Sequence, residues 1–178
     1  MMNCKSKFSK LLSLISALFV LNCAAFPDVV TSKERKLYEV RKEKVKIVFT
    51  GFYRYEQEQK QIQETLLSAG IIQDPNSNLG LEVILQKKDP VYQYLWLHRL
   101  NLVLTFLSGG VVPSHIRTEH TLTFRYTNLG VLENESTYNI GMAQWRGIPV
   151  VLLVITHWPN RIYKEQLIET TKLEIKEI

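Results

Sequence analysis

Four histidines, one serine beside a glycine pair and two cysteines carry the reactive potential of this chain, and their spacing limits what they can do. His98, His115, His120 and His157 are the metal-ligand candidates. No two stand four apart, so none forms the i, i+4 pair with which a helix offers two imidazoles to zinc. His115 and His120 are five apart across an expected loop-to-strand boundary, with Glu119 between them. Hydrogen-bonded or solvated imidazoles are therefore expected, with no metal and no cofactor. Ser108-Gly109-Gly110 lacks the G-x-S-x-G pattern of a nucleophile elbow, and its glycines suit a turn. P-loop and dinucleotide fingerprints are absent. Asn134-Glu135-Ser136 has the form of a glycosylation sequon. A hydrolase built on His98, His115 or His120 would need those side chains to converge in one pocket; the expected reading is non-enzymatic.

Cys23 has the more informative surroundings. Residues 1–10 contain Lys5, Lys7 and Lys10 and no acid, and Leu11 to Leu21 is apolar except for Ser13 and Ser16. A basic start followed by a short apolar run is the pattern of an export signal. A membrane-spanning helix needs about 20 apolar residues, and Asn22 and then Pro27-Asp28 interrupt this run early, which makes a permanent span the weaker reading. Val20-Leu21-Asn22-Cys23 resembles a relaxed bacterial lipobox of the kind found in spirochaete lipoproteins. The usual box has a small residue and then Gly or Ala where this chain has Leu21 and Asn22.

That resemblance implies cleavage before Cys23, a diacylglyceryl group on its thiol and a further acyl chain, such as palmitate, on the new α-amine. The alternative is an ordinary cleaved signal with an incidental cysteine. Cys4 would leave with the signal, so the mature chain would hold one cysteine and no intramolecular disulfide. Ala24 after the cysteine, by the sorting habits of the family, permits export to the outer membrane. A bacterial cell membrane or outer membrane is the implied address, with the domain in the periplasm or at the surface.

Loss of residues 1–22 removes three lysines and no acids, so the formal charge falls from +5 to +2, 19 basic residues against 17 acidic. About 156 residues remain, enough for one domain with a real core. The expected organisation is a signal at 1–22, an anchor and basic tether at 23–44, and a single α+β domain at 45–178. Residues 33–46 hold seven basic and three acidic residues; they read as a solvated linker or as a contact with anionic headgroups. Nucleic acid is excluded as a partner, since no stripe of arginines and aromatics follows.

The elements around these residues read as follows. Residues 45–53, VKIVFTGFY, are β-branched and aromatic, with Val45, Ile47, Phe49 and Tyr53 on one face of a strand. Residues 56–70 switch to helix formers, with Ile62, Leu66 and Ala69 at helical spacing and Gly70 as the stop. Residues 79–87 alternate as a second strand after the turn-forming DPNSN, completing a β-α-β unit over 45–87. Residues 118–127 and 131–140, joined by Asn128-Leu129-Gly130, predict an antiparallel hairpin. Residues 159–178 predict a helix with Ile168, Thr171, Ile175 and Ile178 along one stripe, or a helix whose last residues, LEIKEI, end as a strand. The fold class is thus α+β, with a mixed or mostly antiparallel sheet, a β-α-β start, a hairpin and a C-terminal helix.

Two stretches, residues 92–113 and 141–159, are more apolar than a small water-soluble domain requires. The first is long enough to span, but His98, Arg99 and Asn101 fall near its middle, and a central arginine costs about 2.5–3.5 kcal/mol on insertion scales. As a strand it would place Tyr92, Tyr94, Trp96, Leu100, Leu102, Leu104 and Phe106 on one side. In the second, the run Val150 to Ile155 is flanked by Trp145-Arg146 and His157-Trp158, a pairing suited to a membrane interface. Both are expected either as central strands buried on two faces or as a surface that contacts the membrane or a partner through Trp96, Phe106, Trp145 and Trp158.

Leu104 to Pro113, followed by an alternating hairpin and then Trp145 with its apolar run, looks like the "apolar, Gly, Pro" segments of small bacterial lipoproteins over residues 45–158. It transfers no active-site residue. It implies a non-enzymatic envelope lipoprotein, a membrane-anchored binding or structural module whose partners are membrane lipid and an envelope protein; the alternative is an auxiliary subunit of an envelope transport or assembly complex.

Overall fold

The computed structural model describes residues 23–34 and 44–176. Residues 1–22, expected as a signal, and residues 35–43 of the basic stretch lie outside the described residues. The fold is α+β. Its elements are β1 (Cys23–Pro27), β2 (Thr31–Glu34), β3 (Lys44–Thr50), α1 (Glu56–Ser68), β4 (Ile72–Gln73), β5 (Leu79–Lys88), α2 (Leu95–Leu107), β6 (Ser114–Asn128), β7 (Val131–Arg146), a 3-10 turn (Ile148–Val150), α3 (Val151–Val154) and α4 (Pro159–Lys176). The seven strands form one mixed sheet in the order β1-β7-β6-β5-β3-β4, with β2 also paired to β7.

The chain divides into two compact units that interleave in sequence. The larger comprises Pro27–Pro90, Thr118–Met142 and Tyr163–Ile178. Within it β3 and β5 are parallel, with Ile47 opposite Leu81 and Phe49 opposite Val83, and α1 is the connection between them. This is the β-α-β unit read from the sequence. α1 forms because its run of Glu, Gln and Lys favours the helix, and it buries Ile62 and Leu66 completely, each contributing about 1.5–3 kcal/mol. Gly70 closes it at φ 95°. β5 lies between β3 and β6 and is covered on both faces, with Leu81, Val83 and Leu85 buried on one and Ile84 on the other.

The expected hairpin is present and longer than the alternation suggested. β6 and β7 meet at Leu129-Gly130, both at positive φ (50° and 81°), the backbone of the two-residue turn that matches the strand twist.

α4 is helical as expected, but its buried stripe is Tyr163, Gln166, Leu167, Thr170, Thr171 and Glu174; of the expected line Thr171 is buried, Ile168 and Ile175 are only half-buried, and Ile178 lies outside the described residues. The spacing is helical and most of the residues are polar; Gln166, Thr170, Thr171 and Glu174 make internal hydrogen bonds, while the Tyr163 hydroxyl and the Gln166 side-chain oxygen are buried without one. Thr170 and Thr171 donate to the carbonyls of Gln166 and Leu167 at 2.7 and 2.8 Å. The Gln166 carboxamide donates to the carbonyls of Asp28 and Gly141, both at 3.1 Å. The Tyr138 hydroxyl donates to the Glu174 carboxylate at 2.5 Å. Satisfied in this way, polar groups can occupy a core position that apolar patterning assigns elsewhere.

The smaller unit comprises the residues up to Phe26, Val91–Arg117 and Ala143–Ile162, and both apolar stretches fall in it. Neither apolar run is a strand, although residues 141–146 at the start of the second stretch end β7, with Gly141 and Met142 in the larger unit. Residues 95–107 form α2, whose six leucines favour the helix and whose β-branched residues are only Val103 and Thr105. Residues 148–154 form the 3-10 turn and α3, with Pro149 at the helix start where its missing N–H costs nothing. The expectation of two buried central strands is therefore corrected: α2 contains no buried residue, and Leu152 and Ile155 are fully exposed.

Candidate functional site

Cys23 heads β1, half-buried, and its thiol lies 3.6 Å from the Gln144 side-chain oxygen near the end of β7. The next two backbone steps are fixed by the chain beyond α3: the Ala25 N–H donates to the His157 carbonyl at 2.8 Å, and the Phe26 ring lies tilted against the His157 ring at 4.8 Å. The strand that bears the cysteine is thus held within the smaller unit.

α2 in the same unit has its amphipathicity reversed. His98, Asn101, Thr105 and Ser108, spaced i, i+3, i+7 and i+10, are the half-covered positions, while the tryptophan, leucine and phenylalanine positions are open. The polar stripe is held by specific bonds. The Asn101 carboxamide donates to the Pro113 carbonyl at 3.0 Å and accepts from the His115 N–H at 3.2 Å. His98 stacks on Tyr92 at 3.9 Å, and the Tyr92 hydroxyl accepts the Arg117 N–H at 3.0 Å. A soluble helix buries its apolar stripe and wets its polar one; α2 does the opposite.

The turn after α2 completes the platform. Ser108 and the two glycines provide it, with Gly109 and Gly110 at φ 60° and 82°; Ser108 donates to the Thr105 carbonyl and accepts the Val112 N–H. The Ile148 N–H donates to the Gly110 carbonyl at 2.9 Å. Gly147 permits that approach: it sits at φ 145°, and a Cβ there would lie 2.8 Å from the Gly110 oxygen. The 3-10 turn that leads into α3 is therefore joined to the loop after α2 by a backbone contact.

The four aromatic residues singled out in the sequence all lie on this unit and all are exposed: Trp96 64%, Phe106 85%, Trp145 37% and Trp158 41%. Trp145 rests against His115 at 4.9 Å. The surface is also cationic. Arg99, Arg117, Arg146 and Arg161 are exposed, and the described residues of the smaller unit include no aspartate or glutamate. The sequence reading missed Asn101 and this segregation of charge. The i, i+3, i+7, i+10 polar spacing would have revealed the first.

The histidines do not assemble. His98, His115 and His157 each pack against a different neighbour in the smaller unit, and His120 belongs to the larger one, where it is 4% exposed. Its Nε2 lies 3.2 Å from the Tyr55 hydroxyl, and its ring lies against that of Tyr163 at 4.9 Å. Burial first, and the Lys87 charge second, lower its pKa to about 4. Among the described residues no group of three His, Cys, Asp or Glu is placed to hold a metal ion. Asn134 and Ser136 of the sequon are buried in β7.

No protein-family model matches the chain, and no curated protein matches it. Among solved structures it is similar to a minor lipoprotein from Acinetobacter baumannii, at 9% identity and a TM-score of 0.48, over 76% of this chain and 89% of that one. It is also similar to the PelC dodecamer from Paraburkholderia phytofirmans, at 10% identity and a TM-score of 0.32, over 78% of this chain and 98% of that one.

Proposed function

We propose that this protein is a lipid-anchored lipoprotein of a bacterial cell envelope that acts without catalysis, as a binding or structural module held at the membrane. Cys23 carries the anchor, and Trp96, Phe106, Trp145 and Trp158 provide the contact surface. The observation that supports this most is that Cys23 and the outward apolar helix α2 belong to one compact unit. An anchor attached there would hold that unit, with its exposed apolar helix, beside the bilayer. Several buried acyl chains, at about 0.8 kcal/mol per CH₂, make such attachment stable.

The test is the intact mass of the mature protein purified from its native membrane, compared with a Cys23→Ala variant. A chain beginning at Cys23 with added acyl mass, absent from the variant, supports the reading. An unmodified chain sinks it. Recovery of a stoichiometric protein partner from detergent extracts would instead assign the exposed surface to an auxiliary subunit of a larger envelope assembly.

A further inference from the structure

The exposed face of the smaller unit combines three properties: apolar residues turned outward, tryptophans placed beside arginines, and no acidic residue. Extending the reading above, and resting on it for the compartment, we infer that this face docks on an anionic phospholipid bilayer, with α2 and α3 lying at headgroup depth and not crossing.

Length sets the depth. α2 has 13 residues, about 20 Å at 1.5 Å per residue, against a hydrocarbon core of about 30 Å. Among the described residues no helix is long and apolar enough to cross a membrane. A short helix that presents Leu, Val, Trp and Phe outward is stabilised by lying in the interface, where its apolar side enters the acyl boundary. The reversed stripe fits this: His98, Asn101 and Thr105 already have protein partners, so little polar surface of α2 has to give up water.

Charge selects the lipid. Trp145 is followed by Arg146, Trp158 lies three residues before Arg161, and Trp96 three before Arg99. Indole rings settle at the headgroup level beside basic residues, and each arginine near an anionic surface strengthens binding by roughly fivefold. A second copy of the chain is disfavoured as the occupant, because two such faces would bring arginines against arginines with no acid to pair them.

The experiment uses the mature polypeptide, residues 23–178, produced without acyl chains, so that its outcome does not depend on the anchor. Sedimentation and tryptophan emission are measured with vesicles of phosphatidylcholine alone and of phosphatidylcholine with an equal part of phosphatidylglycerol. The expected result is binding to the anionic vesicles with a blue shift and with quenching by brominated acyl chains, and binding roughly a hundredfold weaker to the neutral ones. Phe106→Ser with Leu152→Ser abolishes binding while the circular dichroism is unchanged. Arg99→Glu with Arg146→Glu removes the preference for anionic vesicles. A folded chain that stays in the supernatant with both vesicles overturns the inference, and so does equal binding to both. A blue shift in buffer without lipid, with a doubled sedimentation mass, overturns it in favour of a second copy. Binding by this chain together with an unmodified Cys23 in the cell would sink the anchor and leave the docking face standing.

Discussion

The side-chain oxygen of Asn101, midway along α2, accepts the backbone N–H of His115 at the start of β6 at 3.2 Å, while its amide donates to the Pro113 carbonyl at 3.0 Å. One carboxamide thus ties an outward-facing helix to the strand that follows it. No buried apolar residue on α2 does this work instead.

Asn101→Ala should therefore loosen α2 out of proportion to its size. Two backbone groups lose their partner, an effect of about 1–3 kcal/mol. Hydrogen exchange of the α2 amides should rise in the variant, while the β3 and β5 amides keep their protection. Unchanged α2 protection would mean that other contacts hold the helix.

Exposed and buried leucines should behave as opposites. Leu102→Ser and Leu152→Ser, on the outward face, should leave the urea midpoint of the lipid-free chain within about 0.5 kcal/mol of its parent. Leu66→Ala, at 0% exposure, should cost about 2–5 kcal/mol. A large loss from the Leu152 variant would show that α3 is packed and not open.

His120 makes stability depend on pH in a known direction. Its folded pKa of about 4 lies below the 6.5 of a free imidazole, so between these values the unfolded chain binds more protons than the folded one. The contribution is complete above pH 6.5 and is lost as pH falls toward 4, by up to about 3 kcal/mol. Urea midpoints at pH 7 and pH 5 should differ more for the parent than for His120→Gln. Equal differences would place the imidazole in water.

Tyr138→Phe removes the hydroxyl that donates to the buried Glu174 carboxylate. The expected cost is about 1.5–3 kcal/mol, as for a hydrogen bond to a charged group, read from the thermal midpoint. A neutral result would mean that Glu174 is served by its other neighbours.

Where residue pattern and environment agreed, the fold was legible. Val45 and Ile47 alternate and are buried, Ile62 and Leu66 keep helical spacing and are buried, and Leu129-Gly130 marks the hairpin it was read to mark. α2 was not legible as a helix, because Tyr92, Tyr94 and Trp96 alternate like a strand and its leucines face outward, so no apolar stripe pointed to a core. The stripe of α4 was missed for the reverse reason: Thr170, Thr171 and Gln166 are polar and buried, and their internal bonds cannot be counted from composition. The exposed aromatic residues Trp96, Phe106, Trp145 and Trp158 stood out because two stretches hold more apolar side chains than a core needs; their contact with a membrane or partner remains the proposal. Asn101 was not, because its worth depends on Pro113 and His115 lying within reach.

The placement of β1 next to β7 has a consequence in time. Gln144 follows Cys23 by 121 residues, and His157, which holds the Ala25 amide, comes later still. A chain made from its N-terminus has residues 23–27 long before either partner exists, and pairing across such a separation is slow. Residues 23–27 therefore stay without these strand partners until both have been made, and the proposed modification of Cys23 would act on them in that interval.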